Sequence, residues 1–421
     1  MPRFLHTADW QIGRQYGRFA PEDAAAIAEA RFTAVERLAA LATTQQVDAV
    51  LVAGDVFDAQ TVSDRTIRRL FNALQGYAGP WLLLPGNHDA ALAESVWSRA
   101  RRIGAVPANV ELLLEPEPRL YPEAGFAILP APLTQRQTMA DLTAWFDQAE
   151  TPPELLRIGL AHGSVQGLLA EEIDSANPIA AERAERARLD YLALGDWHGL
   201  KQIDARTWYS GTPEQDRFKD NGAGQALIVE IAPPAPPAVS PAVSPAVSLA
   251  ASPEVSPTAS SATPLAAFPA PPPSDRSMRP APRVTPSPIG TYHWQRWQAD
   301  LRLASDAEAL IERLQTLETN DVLRLQLSGS LDLSTHQRLQ AALGVAKGRC
   351  RSLEIDADGL RLTPTDADLA ALQVDGYLGE VVAQLRERQQ GDEGEIAREA
   401  LIILAGLLRE QRSLAGEAAC N

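Results

Sequence analysis

A proline-rich segment near the middle of the chain divides it into two parts. Residues 231–290 hold 17 of the 32 prolines in the 421-residue sequence, including a near-repeat of Pro-Ala-Val-Ser between Pro237 and Ser248. Proline has no backbone N–H to donate in a helix or a sheet, so no continuous fold is expected to run through this segment. We predict a linker at residues 231–290, a larger domain at residues 1–230 and a smaller module at residues 291–421.

The composition is that of an ordinary globular protein, with 45% hydrophobic and 22% charged residues. No window approaches the roughly 18 apolar residues of a membrane span, and the residues from Met1 to His6 show no apolar signal stretch. The two cysteines, Cys350 and Cys420, are too few for a cysteine-based zinc site. We therefore expect a cytoplasmic protein in a reducing compartment, without a membrane partner.

The formal net charge is −16, and both predicted domains carry more acidic than basic residues. Nucleic acids attract proteins largely by exchanging their counterions for Lys and Arg, so a chain with this charge would be repelled at long range. If the substrate is a nucleic acid, metal ions at the site, or a partner chain, are expected to supply much of the positive charge.

Residues 1–230 alternate apolar runs with helical periodicity, which favours a layered α/β fold. Strands are predicted at Arg3–Ala8, Ala49–Ala53, Trp81–Leu84, Ala127–Pro130, Arg157–Ala161, Tyr191–Leu194 and Ala226–Ile231. Helices are predicted at Pro21–Thr43, Ser63–Gln75, Ala93–Arg102, Arg136–Gln148 and Ala180–Ala187.

The pattern of residues 291–421 predicts a small α+β module followed by helices. Its predicted elements are strands at Trp294–Leu303, Val322–Leu327 and Ser352–Ile355, helices at Ala307–Leu317 and Ser334–Leu343, and a helical region from Asp366 to Ser413 with a break at Gly391–Gly394. The stretch Glu395–Leu408 places apolar residues on one helical face. It is either a docking segment for a partner or a helix that packs on its own domain.

Polar residues with metal-binding or acid–base chemistry follow the predicted strands directly. The clusters are Asp9-Trp10-Gln11, Gly54-Asp55-Val56-Phe57-Asp58, Gly86-Asn87-His88-Asp89, Ala161-His162-Gly163 and Gly195-Asp196-Trp197-His198. Open α/β sheets bind ligands beyond the carboxyl ends of their strands, so these residues are expected to meet there. Asp and Asn beside Gly are also ordinary turn residues, but five such clusters in order favour a site.

This ordered set resembles the calcineurin-like metallophosphoesterase superfamily, whose motifs are DxH, GDxxD, GNHD, a single His and GHxH. The segments Phe4–Asp9, Gly54–Asp58 and Leu84–Asp89 are most similar to its DNA-repair exonuclease branch, which includes SbcD-type nuclease subunits. The resemblance covers about residues 1–230. It implies a layered α/β metallophosphoesterase sandwich, which the smaller C-terminal α+β and helical module would follow after the Pro-rich linker.

The resemblance also implies two divalent metal ions that share one bridging carboxylate, Asp55. The first metal would be held by Asp9, Gln11, Asp55 and His198, and the second by Asp55, Asn87, His162 and Asp196.

Two of these positions depart from the family motifs. Gln11 stands where the family has His, and Asp196 stands where GHxH has its first His. Both replacements keep an oxygen donor, and the exchange of imidazole nitrogen for oxygen favours Mn²⁺, with Mg²⁺ as the alternative, over Zn²⁺. For Gln11, contact with the metal through water is an alternative to direct ligation.

The remaining polar residues of these motifs have expected roles that do not involve ligation. The resemblance implies that His88 is the acid or charge stabiliser near the leaving oxygen, and that Asp89 orients its imidazole. We expect Asp58 to brace the site and His6 to lie in the core. The segment Tyr209–Glu214 either shapes the site, as in the related nucleases, or is a plain hairpin turn.

The leading functional hypothesis is a metal-dependent phosphodiesterase that acts on DNA, as an SbcD-like exonuclease working with an SMC-like, SbcC-type ATPase. The assembly as a homodimer is left open. Two alternatives remain, because the motifs report chemistry and not substrate. One is another phosphoester hydrolase, such as a nucleotide phosphodiesterase or a phosphatase. The other is a non-catalytic scaffold with a degenerate metal site.

Overall fold

The structure is a computed structural model that describes residues 1–167, 176–232, 280–363, 377–391, 394–397, 399–404 and 407. The chain forms two compact units. The larger unit comprises Met1–Gly13, Val35–Pro213 and Gln225–Pro288, and the smaller unit comprises Arg14–Ala34, Glu214–Gly224 and Ile289–Asn421. Within the described part of the chain, no helix combines the length and the apolar character that crossing a membrane requires.

The described residues of the larger unit form fourteen strands. They are β1 (Arg3–Thr7), β2 (Ala49–Val52), β3 (Trp81–Leu83), β4 (Val110–Leu112), β5 (Arg119–Tyr121), β6 (Phe126–Ala131), β7 (Leu156–His162), β8 (Ser164–Val165), β9 (Pro178–Ile179), β10 (Tyr191–Gly195), β11 (Lys201–Gln202), β12 (Thr207–Tyr209), β13 (Gln225–Glu230) and β14 (Arg283–Pro288). The helices are α1 (Pro21–Thr44, whose first part belongs to the smaller unit), α2 (Asp64–Ala73), α3 (Val96–Arg102) and α4 (Arg183–Arg186), with 3₁₀ turns at Leu74–Gly76, Pro122–Ala124 and Ala144–Asp147.

The described part of the larger unit has two six-stranded sheets, in the orders β14-β13-β1-β2-β3-β4 and β11-β12-β10-β7-β6-β5, and a two-stranded sheet of β8 and β9. Strands β1 to β4 are mutually parallel, as are β6, β7, β10 and β12. A single apolar core contains inward-facing residues of both sheets, and the rings of Phe4 and Phe126 meet edge to face at 5.0 Å between centroids. The two sheets therefore form the layered α/β sandwich that the sequence predicts.

The predicted helix at Arg136–Gln148 is wrong, because only the 3₁₀ turn at Ala144–Asp147 is helical there. The Asp141 carboxylate accepts the Thr143 N–H at 2.8 Å, which favours a turn over a helix. Asn177 donates its N–H to the Thr138 carbonyl and accepts the Thr138 N–H on its side chain. These contacts occupy backbone groups that an α-helix would need.

Strand β14 lies inside the segment predicted as a linker. It pairs antiparallel with β13 at the edge of its sheet, with Leu227 opposite Pro286 and Gln225 opposite Pro288. Proline is tolerated in an edge strand because the missing N–H can lie on the unpaired side. Residues 283–288 are thus sheet, whereas residues 233–279 of the predicted linker lie outside the described residues.

The smaller unit contains β15 (His293–Leu301), β16 (Asp321–Leu331), β17 (Ser352–Leu362), α5 (Ala304–Leu314), α6 (Leu333–Arg349) and α7 (Tyr377–Arg388). These three strands are parallel, and helices α5 and α6 connect them in the order β15-α5-β16-α6-β17. The described part of this unit is therefore an α/β arrangement, in which strands and helices alternate, and not the predicted α+β module. Residues 394–397 and 399–404 are helical.

The smaller unit also includes two segments that the sequence analysis assigned to the first domain. Phe19, from the segment Arg14–Ala34, packs its ring against Trp294 at 5.6 Å between centroids. The Glu214 carboxylate accepts the backbone N–H groups of Thr291 at 2.7 Å and Tyr292 at 3.0 Å. Aromatic packing and hydrogen bonds therefore place these two segments in the smaller unit, although they precede the predicted Pro-rich linker in the sequence.

The segment Glu395–Leu408, predicted as either a docking segment or a helix packed on its own domain, is only partly described, since positions 398, 405, 406 and 408 lie outside the described residues. Leu401 is buried, whereas Ile396, Ile403 and Leu407 are exposed. The described part of this segment thus has both a packed side and an apolar exposed side.

His6 lies in the core, as the sequence predicts, and links the two sheets. Its Nδ1 accepts the Tyr191 hydroxyl at 2.9 Å, and its Nε2–H donates to the Leu194 carbonyl at 3.2 Å. These two contacts satisfy a neutral imidazole. Burial lowers the pKa of His6 to about 3, although the Leu194 carbonyl acts in the opposite direction.

Because His6 is neutral in the folded protein and titrates near 6.5 when unfolded, its contribution to stability is complete above pH 6.5 and falls as the pH drops below it. We expect the free energy of unfolding to lose about 2 kcal/mol from this group between pH 6.5 and 5. Denaturant unfolding of His6→Gln should show a correspondingly smaller loss, and the exposed His293→Gln serves as the control. Equal losses in wild type and His6→Gln would contradict the assignment.

Candidate metal centre

Strand ends from both sheets deliver the polar residues of the predicted site. Asp9 and Gln11 follow β1, Asp55 follows β2, and Asn87 follows β3 in the first sheet. His162 is the last residue of β7 in the second sheet. Asp196 and His198 follow β10, the neighbour of β7.

Gln11, His198 and Asp55 meet on one side of the site. Gln11 Nε2 lies 3.2 Å from His198 Nε2 and 3.4 Å from Asp55 Oδ2. Asp9 lies near Asp55 and His162, and the Asp196 N–H donates to its two carboxylate oxygens at 3.1 and 3.3 Å.

His162, Asn87 and Asp196 meet on the other side of Asp55. His162 Nε2 lies 3.1 Å from Asn87 Oδ1, 3.6 Å from Asp55 Oδ1 and 3.7 Å from Asp196 Oδ1. The His162 Nδ1–H donates to the Ala53 carbonyl at 2.8 Å, which leaves the Nε2 lone pair directed at the oxygen donors when the ring is neutral. The structure therefore brings together all seven residues that were predicted as metal ligands.

Four of these residues have a positive backbone φ, which residues other than glycine rarely adopt. The φ angles are 55° at Asp9, 45° at Gln11, 53° at Asp55 and 99° at Asp196, and these account for four of the seven non-glycine residues with positive φ in the described part of the chain. Hydrogen bonds hold two of them, from the Asp9 N–H to the Gly54 carbonyl and from the Gln11 N–H to the Asp55 carbonyl. Such strain is typical of a functional site.

Two glycines let neighbouring strand ends approach closely. A Cβ on Gly86 would lie 2.3 Å from Asp55 Oδ1, and a Cβ on Gly195 would lie 1.9 Å from the Ala53 carbonyl oxygen. Any larger residue at either position would push Asp55 or the end of β2 out of place.

Buried carboxylates concentrate negative charge at this site. Burial raises the pKa of Asp9 to about 6, and burial also raises the pKa of Asp196. Burial opposes protonation of His162, yet the carboxylates of Asp55, Asp9 and Asp196 outweigh it and raise the pKa of His162 to about 9.

Buried carboxylates are stable only when a cation or a hydrogen-bond donor compensates them. One ligand atom from each of Asp9, Asp55 and His162 lies within 4.8 Å of the others, which is a spacing that a divalent cation can span. The set of three carboxylates, two amides and two imidazoles therefore fits hard divalent cations.

His88 lies beside this cluster and is partly exposed. Its backbone N–H donates to Asp55 Oδ1 at 2.9 Å, and its Nδ1–H donates to the Asp58 carbonyl at 2.7 Å. Nε2 lies 3.9 Å from Asp55 Oδ2, and 29% of the side chain is exposed. Asp58 thus braces His88 through its backbone.

Asp89 does not hold His88 in the way that the sequence analysis predicted. Its buried carboxylate accepts the backbone N–H groups of Gly86 at 2.6 Å and Phe57 at 3.0 Å. Burial raises the pKa of Asp89 to about 7, and the two N–H donors act in the opposite direction. Asp89 instead joins the loop after β3 to the loop after β2, because its carboxylate accepts one backbone N–H from each loop.

Two residues hold the backbone directly after His162. Asn177 accepts the Ser164 N–H at 2.9 Å on its carbonyl, directly beyond the turn that contains Gly163. The Tyr209 hydroxyl donates to the Gly163 carbonyl at 2.8 Å and accepts the Val165 N–H at 3.0 Å. Tyr209 begins the segment Tyr209–Glu214 that the sequence marks as either site-shaping or a plain turn, whereas Asn177 belongs to none of the motifs.

Comparison with known proteins gives a family match over the region that carries this site. The profile of the calcineurin-like phosphoesterase family matches residues 2–219. A solved structure, that of TT1561 from Thermus thermophilus, aligns with a TM-score of 0.35 and 14% identity over 54% of this chain and 93% of that chain.

Three curated relatives have partial sequence similarity to the chain. The D subunit of the nuclease SbcCD from Rhodobacter capsulatus is 45% identical over 94 residues, which is 21% of this chain and 22% of the relative. The uncharacterized metallophosphoesterase YhaO of Bacillus subtilis is 25% identical over 54% of this chain and 57% of its own length. The D subunit of the nuclease SbcCD from Bacillus subtilis is 23% identical over 55% of this chain and 66% of its own length.

The matched stretches therefore span between about a fifth and two thirds of these relatives. The family profile, in contrast, covers more than half of this chain and includes all seven residues of the candidate metal centre. The chain belongs to the calcineurin-like phosphoesterase family, whose members are metal-dependent phosphoester hydrolases.

Proposed function

We propose that this chain is a two-metal phosphodiesterase that hydrolyses DNA, as the nuclease subunit of an SbcCD-like assembly. The observation that carries the proposal is the meeting of three carboxylates, two amides and two imidazoles where five strands end. The first metal would be held by Asp9, Gln11, Asp55 and His198, and the second by Asp55, Asn87, His162 and Asp196.

When bound, two divalent cations supply Lewis acidity that polarises the phosphoryl group and makes water a better nucleophile. The chain's own residues orient this chemistry. The Ala53 carbonyl fixes the His162 ring, and the strained turns at Asp9 and Asp55 hold both carboxylates toward the centre.

His88 is suited to act on the leaving oxygen. With Nδ1–H bound to the Asp58 carbonyl, Nε2 is the ring nitrogen on the side of the carboxylate cluster, 3.9 Å from Asp55 Oδ2. A protonated Nε2 would donate its proton to the oxygen that leaves the phosphorus, which completes cleavage of the P–O bond.

DNA as substrate and an SbcC-type, SMC-like ATPase as partner are supported by the two relatives named as D subunits of the nuclease SbcCD. A cytoplasmic location belongs to the same proposal, and assembly as a homodimer is left to measurement. The net charge of −16 makes bound cations necessary for attraction of an anionic substrate.

The deciding assay compares metal-loaded protein on end-labelled DNA with defined ends, on a mononucleotide ester and on a generic phosphodiester. The proposal expects metal-dependent cleavage of DNA. Turnover of the mononucleotide ester alone would identify another phosphoester hydrolase. A metal-loaded protein that hydrolyses none of the three would be a scaffold. Co-purification with the SbcC-type ATPase tests the partner.

Asp55→Asn is expected to abolish hydrolysis, because a neutral amide cannot bridge two cations as a carboxylate does. Asn87→Ala should have the same effect through loss of one ligand. Both residues lie beyond the strand ends, so far-ultraviolet circular dichroism should match that of wild type. Near-normal turnover by a verified metal-loaded Asp55→Asn protein would refute the two-metal assignment.

His88→Ala is expected to lower turnover by about 10²–10⁴-fold and to leave metal content unchanged, because the imidazole acts on the leaving group and not on the cations. Elemental analysis and single-turnover assays measure the two effects separately. Loss of both metals from His88→Ala would show that the residue is a ligand instead.

Metal preference is expected to follow the donor types. Mn²⁺ should activate best, Mg²⁺ less well, and Zn²⁺ poorly, because Gln11 and Asp196 supply oxygen where the family motifs supply imidazole nitrogen. Titration of each metal into the apo protein and into the double variant Gln11→His with Asp196→His checks this. The double variant should bind Zn²⁺ more tightly relative to Mn²⁺, and an unchanged preference would mean that these side chains do not ligate metal.

A further inference from the structure

The two departures from the family motifs fall on opposite sides of Asp55. Gln11 lies in the first half-site, which we define as Asp9, Gln11 and His198 with Asp55 Oδ2. Asp196 lies in the second half-site, which we define as Asn87, His162 and Asp196 with Asp55 Oδ1.

Together, the two departures give both half-sites the same inventory of donors. Each half-site has one carboxylate of its own, one amide, one imidazole and one oxygen of the shared Asp55. The family motifs lack this balance. With His at both positions, the first half-site would keep its own carboxylate, Asp9, and the second would have none.

Each half-site places an amide side chain beside an imidazole, although through different amide atoms. Gln11 Nε2 lies 3.2 Å from His198 Nε2 in the first half-site. Asn87 Oδ1 lies 3.1 Å from His162 Nε2 in the second.

Burial is similar but not identical in the two half-sites. Asp9 and His162 are buried, and His198 and Asp196 are partly exposed, but the amides differ, since Gln11 is buried and Asn87 is partly exposed. The match between the half-sites therefore lies in their donors.

We propose that Gln11 and Asp196 are compensating replacements that give the two half-sites nearly equal intrinsic affinity for a hard divalent cation. The affinity of such a site depends on the number of charged ligands and on the donor types, and both are equal here. This inference rests on the ligand assignment in the proposed function. The first cation to bind then distributes between the half-sites instead of filling one of them.

The first association constant for Mn²⁺ tests the proposal without any activity measurement. It is obtained from the electron paramagnetic resonance signal of free Mn²⁺ at substoichiometric metal, where repulsion between two bound cations does not contribute. Asp9→Asn and Asp196→Asn each remove the one carboxylate that belongs to a single half-site, with little change in side-chain size.

If the half-sites are matched, either variant leaves an intact half-site, so each should lower the first association constant by only about twofold. The double variant Asp9→Asn with Asp196→Asn should lower it at least about tenfold. A loss of tenfold or more in one single variant with no change in the other would overturn the proposal.

Control variants keep the result decisive. Glu182→Gln removes an exposed carboxylate of the same unit and should change nothing. In the background of Gln11→His with Asp196→His, Asp9→Asn should now lower the first association constant at least about tenfold, because the matching is lost. If Asp9→Asn does not fold, the pair Gln11→Ala and Asn87→Ala applies the same logic to the amides.

The outcome is separable from that of the DNA assay. DNA cleavage by a protein with unequal half-sites would overturn the matching and leave the proposed function intact. Matched Mn²⁺ binding by a protein that does not cleave DNA would support the matching of the half-sites and overturn the proposed function.

Discussion

The buried carboxylate of Asp55 is the group on which the arrangement of the site depends. Oδ1 accepts the His88 N–H from the loop after β3 and faces His162 at the end of β7, while Oδ2 faces Gln11 from the loop after β1. A buried charge is costly unless such partners surround it. The loop after β3 can approach Asp55 closely because Gly86 has no side chain, and a Cβ there would collide with Asp55 Oδ1.

The packing of the two sheets sets the distances within the site, because neither sheet carries a complete half-site. The first sheet supplies Asp9, Gln11, Asp55 and Asn87, and the second supplies His162, Asp196 and His198. The core between them, with Phe4 against Phe126, and the hydrogen bond from Tyr191 to His6 hold the sheets together. A change in core volume would therefore reach the candidate metal ligands through a shift of one sheet against the other.

The sequence predicts the elements whose cause is local and misses those whose cause is distant. The apolar runs at β1, β2 and β3 and the polar clusters after them are visible because strand and ligand occupy adjacent positions. The helix expected at Arg136–Gln148 fails because Asn177, far along the chain, binds the backbone at Thr138. Likewise, β14 exists because a partner strand, β13, offers its edge to a Pro-rich segment. The acceptor role of Asp89 depends on two loops that only the fold brings together.

An acidic chain in a family of phosphoester hydrolases has to create positive potential locally. The candidate site itself carries three carboxylates, Asp9, Asp55 and Asp196, so without cations it repels a phosphodiester as the rest of the chain does. Two divalent cations exceed the charge of three carboxylates and reverse the sign of the local field. A histidine in place of Asp196 would leave a larger positive excess but would remove the only carboxylate that belongs to the second half-site alone. In the proposed site, the carboxylate at this position therefore lowers the positive charge offered to the substrate and strengthens retention of the cation. No such change in charge occurs at Gln11, because an amide and an imidazole are both neutral ligands and Asp9 already supplies a carboxylate there.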